Sequence, residues 1–106
     1  MARTLIDVPA TAKRGDVVEI RTLIAHVMES GYRTGPDGKR LDRDIIRSFS
    51  CRYGGEVVFS AELYPAIAAN PFIAFQILAI DSGALQFTWE GDNGFAQTET
   101  RTIAVT

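Results

Sequence analysis

Ile46-Arg47-Ser48-Phe49-Ser50-Cys51-Arg52-Tyr53-Gly54-Gly55-Glu56-Val57-Val58-Phe59-Ser60-Ala61-Glu62-Leu63 is the stretch that decides the fold. On its first arm Phe49, Cys51 and Tyr53 fall at alternate positions, and on its second arm Val57, Phe59, Ala61 and Leu63 do the same. That period of two belongs to half-buried strands and not to a helix. Gly54-Gly55 separates the arms and suits a two-residue type I′ hairpin, which needs left-handed backbone at both central positions.

The alternation continues in both directions. Thr4 to Val8 reads as a short strand stopped by Pro9, and Gly15-Asp16 turns into a second strand over Val17 to Ile24. There Val18, Ile20, Thr22 and Ile24 face one way, with Glu19 and Arg21 opposite. After the hairpin, Tyr64 to Pro71 is a connector whose Ala-Ile-Ala-Ala centre has room for one helical turn. Phe72 to Ile80 is a strand, Ser82-Gly83 turns into Leu85, Phe87 and Trp89 alternating with polar residues, and Asp92-Asn93-Gly94 turns into a final strand, Ala96 to Val105. These elements predict an all-β, immunoglobulin-like antiparallel β-sandwich of about seven strands, in a single domain spanning residues 1–106. Met28 to Asp44, with four turn-forming Gly or Pro residues and eight charged ones, is a long loop. Loops of that length in compact domains usually contact something, or else form solvated surface with balanced charge.

One strand departs from the half-buried rule. Phe72, Ala74, Gln76, Leu78 and Ile80 lie on one face and Ile73, Phe75, Ile77 and Ala79 on the other, and Gln76 is the sole polar residue. A two-sheet sandwich buries one face of a strand, so the second needs its own cover. Two covers are open: the chain's own connector or long loop, or another subunit, since monomers rarely expose apolar patches of several hundred Å². In the second case Phe72, Ile73, Phe75 and Ile77, with Tyr64, Pro65 and Ile67 of the connector, form the expected partner interface.

Composition narrows the function further. A formal net charge of −2, a pI near 5.3 and scattered basic residues offer nucleic acid no field to follow. The apolar runs are too short to span a membrane, and the N-terminal segment holds none long enough for a signal peptide. A single cysteine, Cys51, forbids an internal disulfide, and a single histidine, His26, leaves no histidine cluster for a metal. Cys51 shares a face with Phe49 and Tyr53, as a buried cysteine acting as a small hydrophobe would; a reactive thiol needs exposure and a basic neighbour. His26 reads as a hydrogen-bonded loop residue. Gly35-Pro36-Asp37-Gly38 does not join a strand to a helix, so it is no phosphate cradle. Ser30, Ser48, Ser50, Ser60 and Ser82 lack a base with an orienter, and Asp42 and Asp44 sit among Arg40, Arg43 and Arg47. No catalytic, cofactor-binding or metal-binding set of residues is expected.

Three segments carry a family resemblance: Ile24-Ala25-His26-Val27-Met28-Glu29-Ser30-Gly31-Tyr32-Arg33; Arg43-Asp44-Ile45-Ile46 leading to Phe49-Ser50-Cys51-Arg52-Tyr53; and Leu63-Tyr64-Pro65-Ala66-Ile67-Ala68-Ala69-Asn70-Pro71-Phe72. With Phe87-Thr88-Trp89 and Asp92-Asn93-Gly94, they resemble the Z subunit of the sulfur-carrier heterodimer of bacterial sulfur-oxidation (Sox) systems, in one register over nearly the whole chain. Val27 stands where a proline is usual and Tyr64 where a histidine is, so no role that needs a second histidine carries over.

The resemblance implies a heterodimer with a Y-type Sox subunit, itself immunoglobulin-like. The cysteine on that partner's flexible arm carries the sulfur intermediates of thiosulfate oxidation. The Z-type chain then contributes no catalytic thiol and no cofactor; it completes the scaffold and helps form the surface where other Sox enzymes dock transiently. It also implies the periplasm, reached with the exported Y subunit, where the N-terminal segment read alone suggests the cytoplasm. A carrier pair outside thiosulfate oxidation, associated with a quinoprotein dehydrogenase, is the alternative setting. For enzyme docking, the mixed-charge loop supplies Arg33, Lys39, Arg40 and Arg43 as candidates.

Overall fold

A computed structural model, described over residues 2–65 and 67–106, turns this alternation into eight strands among the described residues. They are β1 (Thr4–Asp7), β2 (Thr11–Ala12), β3 (Val17–Ile24), β4 (Ile46–Tyr53), β5 (Glu56–Glu62), β6 (Phe72–Leu78), β7 (Gly83–Gly91) and β8 (Ala96–Val105). Two sheets form, one in the order β1-β3-β6 and one in the order β2-β8-β7-β4-β5. All pairings are antiparallel except β2 with β8, where Thr11 and Ala12 run beside Ala104 and Val105. This two-residue strand accounts for the difference from the expected seven; it is too short to show a period.

The hairpin forms as the glycines dictate, with φ of +60° at Gly54 and +88° at Gly55. One expectation for its second arm fails. Cys51 pairs with Phe59 but Arg52 pairs with Val57, so Val58 is an extra residue in a β-bulge. The bulge flips the face, and Val57 lies outside beside exposed Arg52 instead of inside with Phe59 and Ala61.

The inward faces of the two sheets meet around aromatic rings. Phe49 on β4 lies 5.2 Å from Trp89, 6.1 Å from Phe59 and 6.0 Å from Phe75, the last across the sandwich from β6. Phe59 and Phe75 stack at 4.4 Å. Burying each such ring stabilises the fold by roughly 1.5–3 kcal/mol, and this packing does the work a disulfide performs in other sandwiches. Phe49→Ala, at the middle of the cluster, is the change that breaks it, at about 3–5 kcal/mol. The far end is tied by Tyr53, whose hydroxyl donates to the Asp81 carbonyl and accepts from the Ile80 and Asp81 N–H groups, both at 3.2 Å.

The long loop is more ordered than its composition implies. Met28 is buried, with φ of +52°, and its sulfur lies 3.3 Å from the Ile46 N–H. Glu29 bridges to Asp44 and Thr34 to Arg40, folding residues 29–44 back on themselves as a narrow ribbon. In the connector the Ile67 N–H donates to the Tyr64 carbonyl at 3.0 Å, closing a turn; Ala66, part of the expected helical turn, lies outside the described residues. The chain measures 58 × 20 × 20 Å with a radius of gyration of 16.1 Å. A compact domain of this length has about 13 Å, so much of the surface lies far from the centre.

Candidate functional site

β6 is an edge strand, and the structure divides its two apolar faces. Phe75 and Ile77 are buried in the core and Ile73 packs partly against it, so these three expected interface residues are inward structural positions. The strand's alternation allows no other outcome once Phe75 meets Phe49. The outward face holds Phe72 at 60% exposure and Leu78 at 51%, with Ile80 just beyond at 55%. No described residue of the connector or of the long loop covers them.

Paired residues on adjacent strands share a face, so the register gives the rest of this surface. Leu5, Leu23 and Phe72 lie side by side at one end, and Val17 and Leu78 pair at the other. Between them β3 presents the Glu19–Arg21 ion pair, and Asp7 of β1 lies beside Arg21. The outward apolar side chains therefore lie at the two ends of the face and recur along β6, while the centre of the face, on β1 and β3, is charged.

The connector residues contribute elsewhere. Tyr64 is exposed, donates to Glu62 at 2.6 Å, and lines a groove of about 350 Å³ with Arg43, Arg47 and Glu90. Pro65 is half-buried and Ile67 is exposed. Tyr64 and Phe72, expected in one patch, fall in two, because the connector turns between them.

The four candidate docking cations also divide. Arg33 forms an ion pair with Glu29 at 2.6 Å. Arg43 donates two hydrogen bonds to the Asp92 carboxylate, at 2.8 and 2.9 Å, and Arg47 approaches the same group at 3.2 Å. Asp92 also accepts the Ile45 N–H at 3.2 Å, and the Arg43 guanidinium above all holds its carboxyl below the usual carboxylate range. This hub, which binds the loop to the turn after β7, was missed; the Asp-Asn-Gly triplet reads locally as a turn and nothing more. Lys39 and Arg40 sit exposed at the ribbon's tip with no ion pair among the described residues.

Neither chemically capable side chain is poised to react. Cys51 is fully buried, and burial pushes its thiol up to about 12. His26 accepts the Met28 N–H at Nδ1 at 3.1 Å, packs edge-on to Phe95 at 5.3 Å, and holds Nε2 3.8 Å from Asp44. Its backbone is clamped to Asn70 on both sides, joining the loop to the connector. No cluster of three or more metal-ligating side chains occurs among the described residues, and no described helix is long and apolar enough to cross a membrane.

Fold and surface together define a class: an immunoglobulin-like sandwich with no assembled reactive centre among its described residues and an apolar rim along one edge strand. The chain belongs to the SoxZ family, whose model, sulphur oxidation protein SoxZ, matches residues 6–102. Comparison with curated proteins by sequence finds no match. Among solved structures, a superoxide reductase (neelaredoxin) from Ignicoccus hospitalis superposes with a TM-score of 0.73 at 15% identity, over 99% of this chain and 82% of that one. The sulfur carrier protein SoxY from Chlorobium limicola f thiosulfatophilum superposes with a TM-score of 0.67 at 15% identity, over 97% of this chain and 78% of that one. At that identity the likenesses show a shared fold.

Proposed function

We propose that this chain is the non-catalytic partner subunit of a heterodimeric Sox sulfur carrier, scaffolding a Y-type subunit whose own cysteine bears the sulfur intermediates of thiosulfate oxidation. The observation that carries this reading is the uncovered apolar rim of Phe72, Leu78 and Ile80 in a SoxZ-family chain whose one thiol is sealed in the core. Apolar residues left on a strand in this way suit a long-lived complex. The pair operates in the periplasm. Its enzyme-docking cations are Lys39 and Arg40, because Arg33 and Arg43 are engaged within the fold. A carrier must release each enzyme before meeting the next, so these contacts are transient and electrostatically steered.

Co-expression with a Y-type subunit tests the pairing: a stable heterodimer is expected on gel filtration, and a well-behaved monomer without affinity for that subunit refutes it. Lys39→Glu with Arg40→Glu should slow turnover by a Sox enzyme most at low salt, where screening is weakest, while leaving the heterodimer intact. Turnover unchanged across salt removes the loop from docking.

A further inference from the structure

The geometry points to how the partner is held: an uncharged edge strand of the Y-type subunit joins β6 through a main-chain ladder, extending the sheet β1-β3-β6 by one strand. This rests on the pairing proposed above.

The backbone supports it first. In an antiparallel pair, hydrogen-bonded and non-hydrogen-bonded positions alternate. The Ile24 N–H donates to the Pro71 carbonyl at 3.2 Å and the Ala79 N–H to the Asp16 carbonyl at 2.8 Å, which fixes the phase between β3 and β6. Ile73, Phe75 and Ile77 therefore exchange their backbone bonds with β3. The N–H and C=O groups of Phe72, Ala74, Gln76 and Leu78 point the other way, into the open edge, and have no backbone partner among the described residues.

Natural edges are guarded by charge, proline, a bulge or shortness. Here β5 carries the Val58 bulge with Glu56 and Glu62, and β2 has two residues. β1 has four residues, ends in Asp7 and is preceded by Arg3. β6 has seven residues with no charge, no proline and no bulge.

The charge pattern then decides between an added strand and a partner lying across the whole face. A cover laid over the face would strip water from Glu19, Arg21 and Asp7, at a cost that ion pairing seldom recovers. A strand added at the edge desolvates Phe72, Ala74, Gln76 and Leu78 and leaves those charges wet. The occupant is a sandwich of the same kind. The Chlorobium SoxY chain shares this fold over 97% of the present chain, so it has strands of matching twist to offer.

Hydrogen exchange on the heterodimer, with Ala74→Pro as the variant, tests the ladder. The Ala74 N–H points outward, so proline there removes no bond to β3, and edge positions tolerate it. In the complex, the Phe72, Ala74, Gln76 and Leu78 amides should become protected, having exchanged freely in the isolated chain. Ala74→Pro should weaken partner binding about tenfold or more while leaving the thermal midpoint of the isolated chain nearly unchanged. If those four amides stay unprotected in a complex that Phe72→Ala with Leu78→Ala abolishes, the partner covers the face, and the ladder is overturned while the pairing stands. If Ala74→Pro dissolves a self-association of the isolated chain yet binds the Y subunit at full strength, a second copy owns the edge, and the inference fails. Absence of any complex with the unmodified chain overturns the pairing itself.

Discussion

A thiol-specific chromogenic reagent applied to the native protein at pH 8 should find Cys51 silent. The side chain is fully buried on β4, with Phe59 and Phe87 opposite it on the neighbouring strands. Burial raises its pKa from the ordinary 9.0 to about 12. At pH 8 an ordinary thiol is about one-tenth thiolate, whereas Cys51 is about one part in ten thousand, so the reactive form alone is depleted about 10³-fold. Access lowers the rate further, since the reagent must wait for the sandwich to open. Native labelling should therefore be at least about 10³-fold slower than labelling in denaturant, where one equivalent should react at once. Because folding raises this pKa, the contribution is intact below pH 9 and is lost as pH climbs from 9 towards 12. Cys51→Ala should flatten that alkaline limb and cost about 1 kcal/mol of stability, typical of a small change in a core. Labelling of the native protein at the denatured rate would refute the burial argument and return Cys51 to the candidates for sulfur chemistry.

Two further substitutions test the frame that presents the surface. Asp92→Asn should lower the thermal midpoint and weaken its dependence on acid. The Asp92 carboxyl is depressed below 3.8, first by its hydrogen bonds to Arg43, so its contribution is present above about pH 4 and is lost as pH falls through the depressed value. An unchanged acid limb in a pH series of melting curves would discount the hub. Gly91→Ala should cost about 1–3 kcal/mol or prevent folding, by forcing a side chain onto backbone. Its Cβ would sit 2.5 Å from the Ile45 carbonyl oxygen. A denaturant midpoint equal to the parent's would show that β4 and β7 are less tightly apposed there.

Most of the sandwich was legible because period-two alternation and paired glycines act locally. Val18, Ile20, Thr22 and Ile24 point inward as the pattern requires, and Gly54-Gly55 turns as its chemistry allows. The Val58 bulge was not legible, since inserting one residue leaves the local pattern plausible and reveals itself only against the facing strand. Met28 stands at the start of a polar loop by its neighbours, yet the positive φ at that position and the contact with Ile46 bring it into the core. The candidate surface was half legible. The sequence shows that β6 is apolar on both faces, but choosing which face is outside needs Phe49 and Phe75 to meet in space. Likewise four cations in one loop look equivalent until Asp92 and Glu29 claim two of them.

A partner subunit carries no sulfur of its own. Intact-mass spectrometry of the heterodimer, after incubation with thiosulfate and the oxidising Sox enzymes, should place every covalent sulfur adduct on the Y-type chain and leave this chain at its unmodified mass. A sulfur adduct on Cys51 would contradict the partner-subunit reading.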